Sequence, residues 1–168
     1  MYRILAINPG STSTKIALFD DEKMVFKENL THEADKLAQF KEISEQLPYR
    51  TEMVIEALNK NNIPLETIDA FSGRGGGLVS VAGGTYEIND ILLHHAQIGY
   101  TMKHASVLGA QIAYNLAKIN NKKAYVVNPV TVDEKQEISR VTGIKGIYNQ
   151  SIFHALNQKE VAHQYANS

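Results

Sequence analysis

A turn rich in hydroxyl groups lies close to the start of the chain. Residues 8–15, NPGSTSTK, combine a glycine, four hydroxyl side chains and a lysine between two apolar runs. Backbone N–H groups, hydroxyls and an ammonium group are the donors that the oxygens of a phosphate require. The spacing is not that of a Walker A loop, and a strand is predicted to follow instead of a helix. The turn is either an anion-binding loop or a polar hairpin turn with a solvated lysine, since such turns are common.

A glycine-rich segment, SGRGGG at residues 72–77, follows a predicted buried strand. Glycines on both sides of Arg74 permit the close approach of a ligand, and a guanidinium group binds a carboxylate or phosphate bidentately. The alternative is a flexible surface loop with an incidental arginine. The position at the carboxyl end of a core strand favours a binding role, because ligands gather there in α/β sheets.

Two histidines stand at predicted helix starts. His104 precedes an apolar stripe that begins at Leu108, and His154 lies in the first turn of a helix that Ser151 is expected to cap. A helix N-terminus favours anions, so either ring could donate to a phosphoryl oxygen. Taken alone, each is more often a packing or surface residue.

The other histidines lack the spacing of a metal site. His94 and His95 are neighbours in a predicted helix and do not share a face. His32 and His163 are expected to be exposed near helix ends. None of these four is predicted to take part in chemistry.

Polar residues follow the predicted strand at residues 124–127. Asn128 comes first, and Asp133 and Glu134 could hold a metal-bound water, because Mg²⁺ prefers oxygen ligands and usually keeps several waters. The two acids could equally stabilise a helix start, which the helix dipole favours. The segment from Asp133 to Val141 is predicted to be helical.

The composition disfavours several classes of protein. A length of 168 residues, with 43% apolar and 21% charged, suits one globular domain or one domain and a fragment. The net charge of −1 argues against a general attraction for nucleic acid or for an anionic membrane. The lack of cysteine excludes disulfides and cysteine nucleophiles and agrees with a cytoplasmic location. We expect neither a signal peptide nor a membrane span.

The predicted strands and helices, which must position these loops, alternate along the chain. Apolar runs predict strands at residues 4–7, 15–19, 23–30, 68–71 and 124–127. Helical spacing predicts helices from Leu37 to Leu47, closed by Pro48, around residues 54–61, from an Asn89 cap to Ile98, from Leu108 to Ile119, and from Ser151 to Tyr165. The pattern is that of an α/β protein. Its antiparallel opening argues against a simple Rossmann fold.

Taken together, these segments resemble the acetate and butyrate kinase family, within the sugar kinase, Hsp70 and actin superfamily. The resemblance covers essentially the whole chain and rests on NPGSTSTK, GRGGG followed by GGTY, HASVLGAQIA and SIFHALNQK. This set and its order are typical of the butyrate kinase branch. The resemblance implies an actin-like, ribonuclease-H-like ATPase domain of the α/β class, with a mixed sheet, antiparallel opening strands and flanking helices.

The resemblance also implies roles for single residues. Asn8, Ser11, Ser13 and Lys15 match positions that lie by the phosphates of ATP. These four residues are the phosphate-binding set that the family pattern predicts.

A second implied set would act on the carboxylate and on the phosphoryl group. Arg74 would bind either of them, and His104 would help to hold their oxygens. His154 would stabilise the transferring phosphoryl group, with Phe153 close to the acyl pocket.

The implied activity is reversible, ATP-dependent phosphoryl transfer to butyrate, giving butyryl phosphate and ADP, with Mg²⁺ on the nucleotide. A carboxylate is already ionised at neutral pH. Transfer to it therefore depends on in-line positioning and positive donors. Open alternatives are another acid, such as acetate, propionate, a branched acid or a 2-oxo acid, or a non-catalytic actin-like binding module.

Two features depart from the family pattern. Asn128 stands where relatives often have an aspartate near the metal, so Asn128 and Asp133 are the metal candidates. The family also has a second domain of comparable size that carries the adenosine pocket. We therefore expect residues 1–150 to form the first domain and residues 151–168 to begin the second. The isolated chain is expected to lack turnover, and the longer protein is expected to be a homo-oligomer.

Overall fold

A mixed six-stranded sheet forms the centre of the molecule. The structure, a computed structural model, describes residues 1–168. The strands are β1 (Arg3–Pro9), β2 (Ser13–Asp20), β3 (Lys23–Thr31), β4 (Ala70–Gly73), β5 (Thr85–Glu87) and β6 (Lys123–Val127). Their order across the sheet is β3-β2-β1-β4-β6-β5. β1, β4 and β6 are parallel, while β2, β3 and β5 are antiparallel to their neighbours.

Five α-helices connect these strands or follow them. They are α1 (Ala34–Leu37), α2 (Leu47–Lys60), α3 (Asp90–Ile98), α4 (Leu108–Ile119) and α5 (Ala155–Ala166). The helix α4 packs on β4, β6 and β1, with α2 and α3 beside it. Leu108, Ile112 and Leu116 of α4 are fully buried. The stripe at helical spacing thus becomes the centre of the core.

The first hairpin has one face in the core and one face towards a cleft. Leu5 and Ile7 of β1 are buried, whereas Ala6 and Asn8, which alternate with them, point to the opposite face. Because β1, β4 and β6 are parallel, their carboxyl ends meet at one edge of the sheet. That edge carries the loops that the sequence singled out.

The predicted fold class is confirmed, and two helix predictions hold in detail. The antiparallel opening strands are present, and α4 has the predicted bounds. Asn89 caps α3, since its side chain accepts a hydrogen bond from the Leu92 amide at 2.9 Å.

Three predictions about helices are wrong. Pro48 opens α2 instead of closing a helix, because proline is tolerated in a first helical turn, where its missing N–H has no partner to lose. The segment from Asp133 to Val141 holds only a short 3₁₀ turn, Glu137–Arg140. Ser151 does not cap the last helix, because its hydroxyl donates to the Val132 carbonyl at 2.7 Å.

The last helix is sparsely covered along its length. Ala155 at its start is fully buried, but Val161 is 63% exposed. The expected boundary between residues 150 and 151 stays a prediction. No helix in the structure has the length and apolar character needed to cross a bilayer.

Candidate active site

The polar residues in and beside the turn between β1 and β2 do not all reach the same part of the surface. Asn8 and Lys15 are opposite each other in the hairpin register, and both line the same cleft. The Ser11 hydroxyl lies 3.3 Å from Nε2 of His104. Ser13 begins β2 and lines neither of the two cavities near this turn.

Arg74 directly follows β4, and its backbone is held tightly. Its amide donates to the Ile7 carbonyl at 2.8 Å. Gly73 lies so close to Gly109 of α4 that a Cβ at position 73 would overlap the helix backbone. The half-buried guanidinium group of Arg74 makes no hydrogen bond or ion pair within the chain. Arg3, Arg50 and Arg140 all have acceptors, so Arg74 is the arginine left available to a ligand.

His104 is held with a defined direction of hydrogen bonding. The Ser106 amide donates to Nδ1 at 3.1 Å, so Nδ1 is an acceptor. A neutral imidazole with an accepting Nδ1 carries its proton on Nε2. Nε2 is therefore a donor, and it points towards the Ser11 hydroxyl.

His104 and Arg74 line one small cavity, which we call the histidine cavity. Its volume is 330 Å³, and it has both polar and apolar walls. Its lining residues are Asn8, Pro9, Arg74, Gly75, Met102, His104, Ser106, Val130, Ile152, Phe153 and His154. The lining thus combines donor side chains with apolar ones, a combination that suits a small acid with an aliphatic tail.

A second cavity of 580 Å³ shares Asn8 and Arg74 with the first. We call it the lysine cavity, because Lys15 and Lys27 both line it. It lies along the first hairpin, and Leu156 and Asn157 of α5 also line it. Arg74 therefore stands where the two cavities meet.

His154 and Phe153 reach the histidine cavity from the segment before α5. The Phe153 amide donates to the Val130 carbonyl at 3.0 Å, which ties this segment to the sheet edge. His154 occupies the N-cap position of α5, one residue before the first turn, and its exposed side chain makes no capping bond. The structure thus gathers Asn8, Lys15, Arg74, His104, Phe153 and His154 around adjoining cavities.

The two metal candidates lie outside both cavities. The Asn128 side chain accepts from the Gly84 amide at 2.9 Å. Both oxygens of Asp133 accept from Arg140, at 2.7 and 3.1 Å, and these hydrogen bonds lower the pKa of the Asp133 carboxyl. No group of three or more histidine and acidic side chains has the geometry of a metal site. The residues present therefore do not form a protein cage for Mg²⁺.

Sequence reasoning missed a buried arginine behind the first turn. Arg50 of α2 is 0% exposed and donates to the Gly10 carbonyl of the turn. A signal was present, because Arg50 shares helical spacing with Val54, Ala57 and Leu58, all of them buried. A charged residue on an apolar stripe is unusual enough to be singled out.

His32 was also misjudged, since it is 3% exposed instead of lying on the surface. Its Nε2 lies 2.8 Å from the Thr14 hydroxyl, and its ring lies 5.3 Å from that of Tyr49. Burial, and then the nearby charge of Arg50, lower the pKa of His32 to about 4. It is a neutral member of the packing beneath the turn.

Comparison with known proteins agrees with the motifs. No family model matches the sequence. The chain is 46% identical over 166 residues to butyrate kinase 1 of Clostridium acetobutylicum, an alignment that covers 99% of this chain and 47% of that protein. The chain therefore resembles butyrate kinase 1 along nearly its whole length. The resemblance predicted from the motifs is confirmed. The chain spans about half the length of the relative it matches.

Three solved structures that share this fold are named as kinases of acetate or propionate. Acetate kinase of Porphyromonas gingivalis has a TM-score of 0.67 at 13% identity, over 99% of this chain and 49% of that one. Acetate kinase of Entamoeba histolytica has a TM-score of 0.63 at 16% identity, over 98% and 46%. A propionate kinase of Francisella tularensis has a TM-score of 0.61 at 17% identity, over 99% and 49%. At these identities the comparison shows the fold alone.

Proposed function

We propose that this chain is the first half of a kinase that transfers a phosphoryl group between ATP and butyrate. The observation that carries the proposal is the position of Arg74, unpaired and shared by two cavities of different character. The lysine cavity would take the phosphates of the nucleotide, next to Asn8 and Lys15. The histidine cavity would take the acid. The similarity to butyrate kinase 1 supports the choice of substrate.

The proposed chemistry needs donors more than it needs a base. A carboxylate oxygen attacks the γ-phosphorus of ATP, the bond from phosphorus to the bridging oxygen breaks, and ADP leaves with the electron pair. The acid is already ionised, so no proton has to be removed from it. The guanidinium of Arg74 and Nε2–H of His104 would hold the acid and the oxygens of the transferring group.

The apolar wall of the histidine cavity supports a short aliphatic tail. Met102, Val130, Ile152 and Phe153 are the large apolar residues of its lining. Burying each CH₂ of the tail there would stabilise binding by about 0.8 kcal/mol. A butyrate preference over acetate would follow from this contact. Activity on acetate, propionate and branched acids serves as the comparison series.

The second half of the proposed kinase would supply the adenosine pocket and cover the exposed side of α5. The proposal therefore includes a domain formed by residues 1–150, with residues 151–168 leading into the next domain. Mg²⁺ would be held by the nucleotide and water, because Asn128 and Asp133 are engaged elsewhere. The homo-oligomeric state and the cytoplasmic location remain predictions.

Butyryl phosphate formation tests the proposal in two preparations. The 168-residue chain alone should show no turnover, and the protein in which a second domain continues the chain should show it. In the longer protein, Arg74→Lys keeps the charge but loses the bidentate fork, and kcat/KM should fall about a hundredfold. Arg3→Lys is the matched control, since Arg3 is paired with Asp20 and lines neither cavity.

Each outcome has a separate meaning. Turnover by the isolated chain would contradict the need for a second domain. An Arg74→Lys variant with kcat/KM close to that of the wild type would contradict the site. Equal kcat/KM on acetate, propionate and butyrate would contradict the proposed acid preference.

A further inference from the structure

Arg50 is a buried cation without an anionic partner. Its side chain is 0% exposed, and no carboxylate lies within ion-pair distance of it. All its acceptors are neutral: two belong to the turn between β1 and β2, two to the start of β2 and one to the residue before α2. They are the carbonyls of Gly10 (2.9 Å), Ser11 (3.1 Å) and Ser13 (3.3 Å), the Thr14 hydroxyl (3.1 Å) and the Gln46 side chain (3.0 Å).

These bonds set the direction of two peptide units. Arg50 holds the carbonyls of Gly10 and Ser11, which share their peptide units with the amides of Ser11 and Thr12. The chain has no cis peptide bond, and in a trans unit the C=O and N–H groups point in opposite directions. The amides of Ser11 and Thr12 therefore point away from Arg50.

Neither of these amides is used inside the protein. Both residues lie between β1 and β2, outside the ladders, and neither N–H donates to any acceptor in the chain. Adjacent backbone N–H groups with no partner form an anion-binding concavity. The Ser11 hydroxyl, beside Nε2 of His104, shows that the turn borders the candidate active site.

We propose that Arg50 is a positioning residue that orients the amides of Ser11 and Thr12 towards a phosphate group of the bound nucleotide. The inference rests on the proposed function and adds the part that this buried residue plays in it. Arg50 touches no substrate. It acts through the peptide units that it holds from behind.

The charge balance of the turn supports an anionic ligand. A guanidinium stays protonated even when it is buried, and a buried charge is costly unless it is compensated. Here carbonyl dipoles satisfy the donors, but no negative charge within the chain balances the cation. A guanidinium bound to a carbonyl also polarises the peptide unit and strengthens its N–H as a donor. A phosphate on the far side of the turn would supply the missing charge.

The first test uses the unaltered 168-residue chain, so no variant has to fold. Amide resonances of uniformly ¹⁵N-labelled protein would be followed while sodium tripolyphosphate, and separately ATP, is added. The amides of Ser11 and Thr12 should show the largest downfield proton shifts, saturating with the same affinity. Saturating binding in which these two amides do not respond would overturn the proposal, and so would the lack of any binding.

The second test compares variants of the same chain and of the longer protein. Arg50→Met removes the charge and the donors, and Arg50→Lys keeps the charge with fewer donors. In the chain, tripolyphosphate affinity should fall about tenfold or more for Arg50→Met and less for Arg50→Lys. Arg3→Met is the control, because Arg3 pairs with Asp20 at the other end of β1. Its affinity should match that of the unaltered chain.

A purely structural role for Arg50 predicts a different result. It would lower the melting temperature without a selective effect on one substrate. In the longer protein, the positioning role predicts that Arg50→Lys raises KM for ATP about tenfold and leaves KM for butyrate unchanged. Equal changes in both KM values, or none, would overturn it.

The experiments distinguish failure of the proposed role of Arg50 from failure of the proposed kinase function. Responding amides in a protein that forms no butyryl phosphate would leave the anion site standing and reject the kinase. An active kinase whose Ser11 and Thr12 amides do not respond to ATP would reject the role of Arg50 alone.

Discussion

Nε2 of His104 lies 3.3 Å from the hydroxyl of Ser11, a residue 93 positions earlier in the chain. One belongs to the segment before α4, and the other belongs to the turn between β1 and β2. The contact joins the proposed phosphate loop to the histidine cavity. At this contact His104 offers its Nε2–H as a donor, because its Nδ1 accepts from the Ser106 amide.

We predict that the donor at position 104 matters more than the ring. His104→Ala in the longer protein should lower kcat/KM for butyryl phosphate formation about a hundredfold, as loss of one transition-state donor does. His104→Gln should retain more activity, because its amide can place an N–H at a similar reach. His94→Ala is the control, because His94 is exposed on α3 and lines neither cavity. Equal losses for His104→Ala and His104→Gln would argue against the donor role.

A glycine contact behind Arg74 gives the second prediction. A Cβ on Gly109 would overlap the Arg74 carbonyl oxygen, so Gly109→Ala has to displace α4 or the arginine loop. Helix propensity alone favours alanine by about 1 kcal/mol, but overpacking costs about 1–3 kcal/mol. We expect a lower free energy of unfolding in urea. Gly143→Ala, which has open space around it, should change stability by less than about 0.5 kcal/mol. A stabilised Gly109→Ala variant would contradict the observed contact.

The buried histidine beneath the turn gives a pH dependence. Burial and the charge of Arg50 lower the pKa of His32 from 6.5 to about 4, while Tyr49 packs on its ring. Between these two values the unfolded chain binds the proton and the folded chain does not, so stability rises with pH. The free energy of unfolding should therefore fall as the pH is lowered from 6.5 towards 4.

A variant isolates this contribution. Urea unfolding at several pH values gives the free energy of unfolding as a function of pH. Between pH 4 and 6.5 the slope of that dependence should be smaller for His32→Gln, by the equivalent of up to about one bound proton. Asn59→Gln should keep the slope of the unaltered chain, because Asn59 is exposed on α2 and its replacement changes no titratable group. An unchanged slope for His32→Gln would mean that the group titrates normally.

Asp133 gives a prediction about the metal. Its two oxygens accept from Arg140, so Asp133→Asn should lower the melting temperature by weakening that pair. The Mg²⁺ concentration needed for half-maximal activity of the longer protein should stay the same. Asp35→Asn on the exposed α1 is the control for stability. A large rise in the Mg²⁺ requirement of Asp133→Asn would restore Asp133 as a metal ligand.

Local sequence patterns predicted a helix correctly where interactions between residues close in sequence decide its structure. The apolar stripe of α4 and the Asn89 cap were read from the sequence, because burial of one helix face and satisfaction of a free amide are local demands. Pro48 was misread because proline both begins and ends helices, and only the packing of α2 on α4 decides between the two.

The sequence by itself determined the α/β class, the family resemblance and the residue types that could meet a phosphate and a carboxylate. Those depend on periodicity and on motifs that lie within a few residues of one another. Only the tertiary structure decided that Arg74 lacks a partner while Asp133 has Arg140, that His32 is buried, and that Arg50 holds the first turn from behind. These facts depend on contacts between distant segments, and a side chain's charge, exposure and direction follow from its neighbours in space.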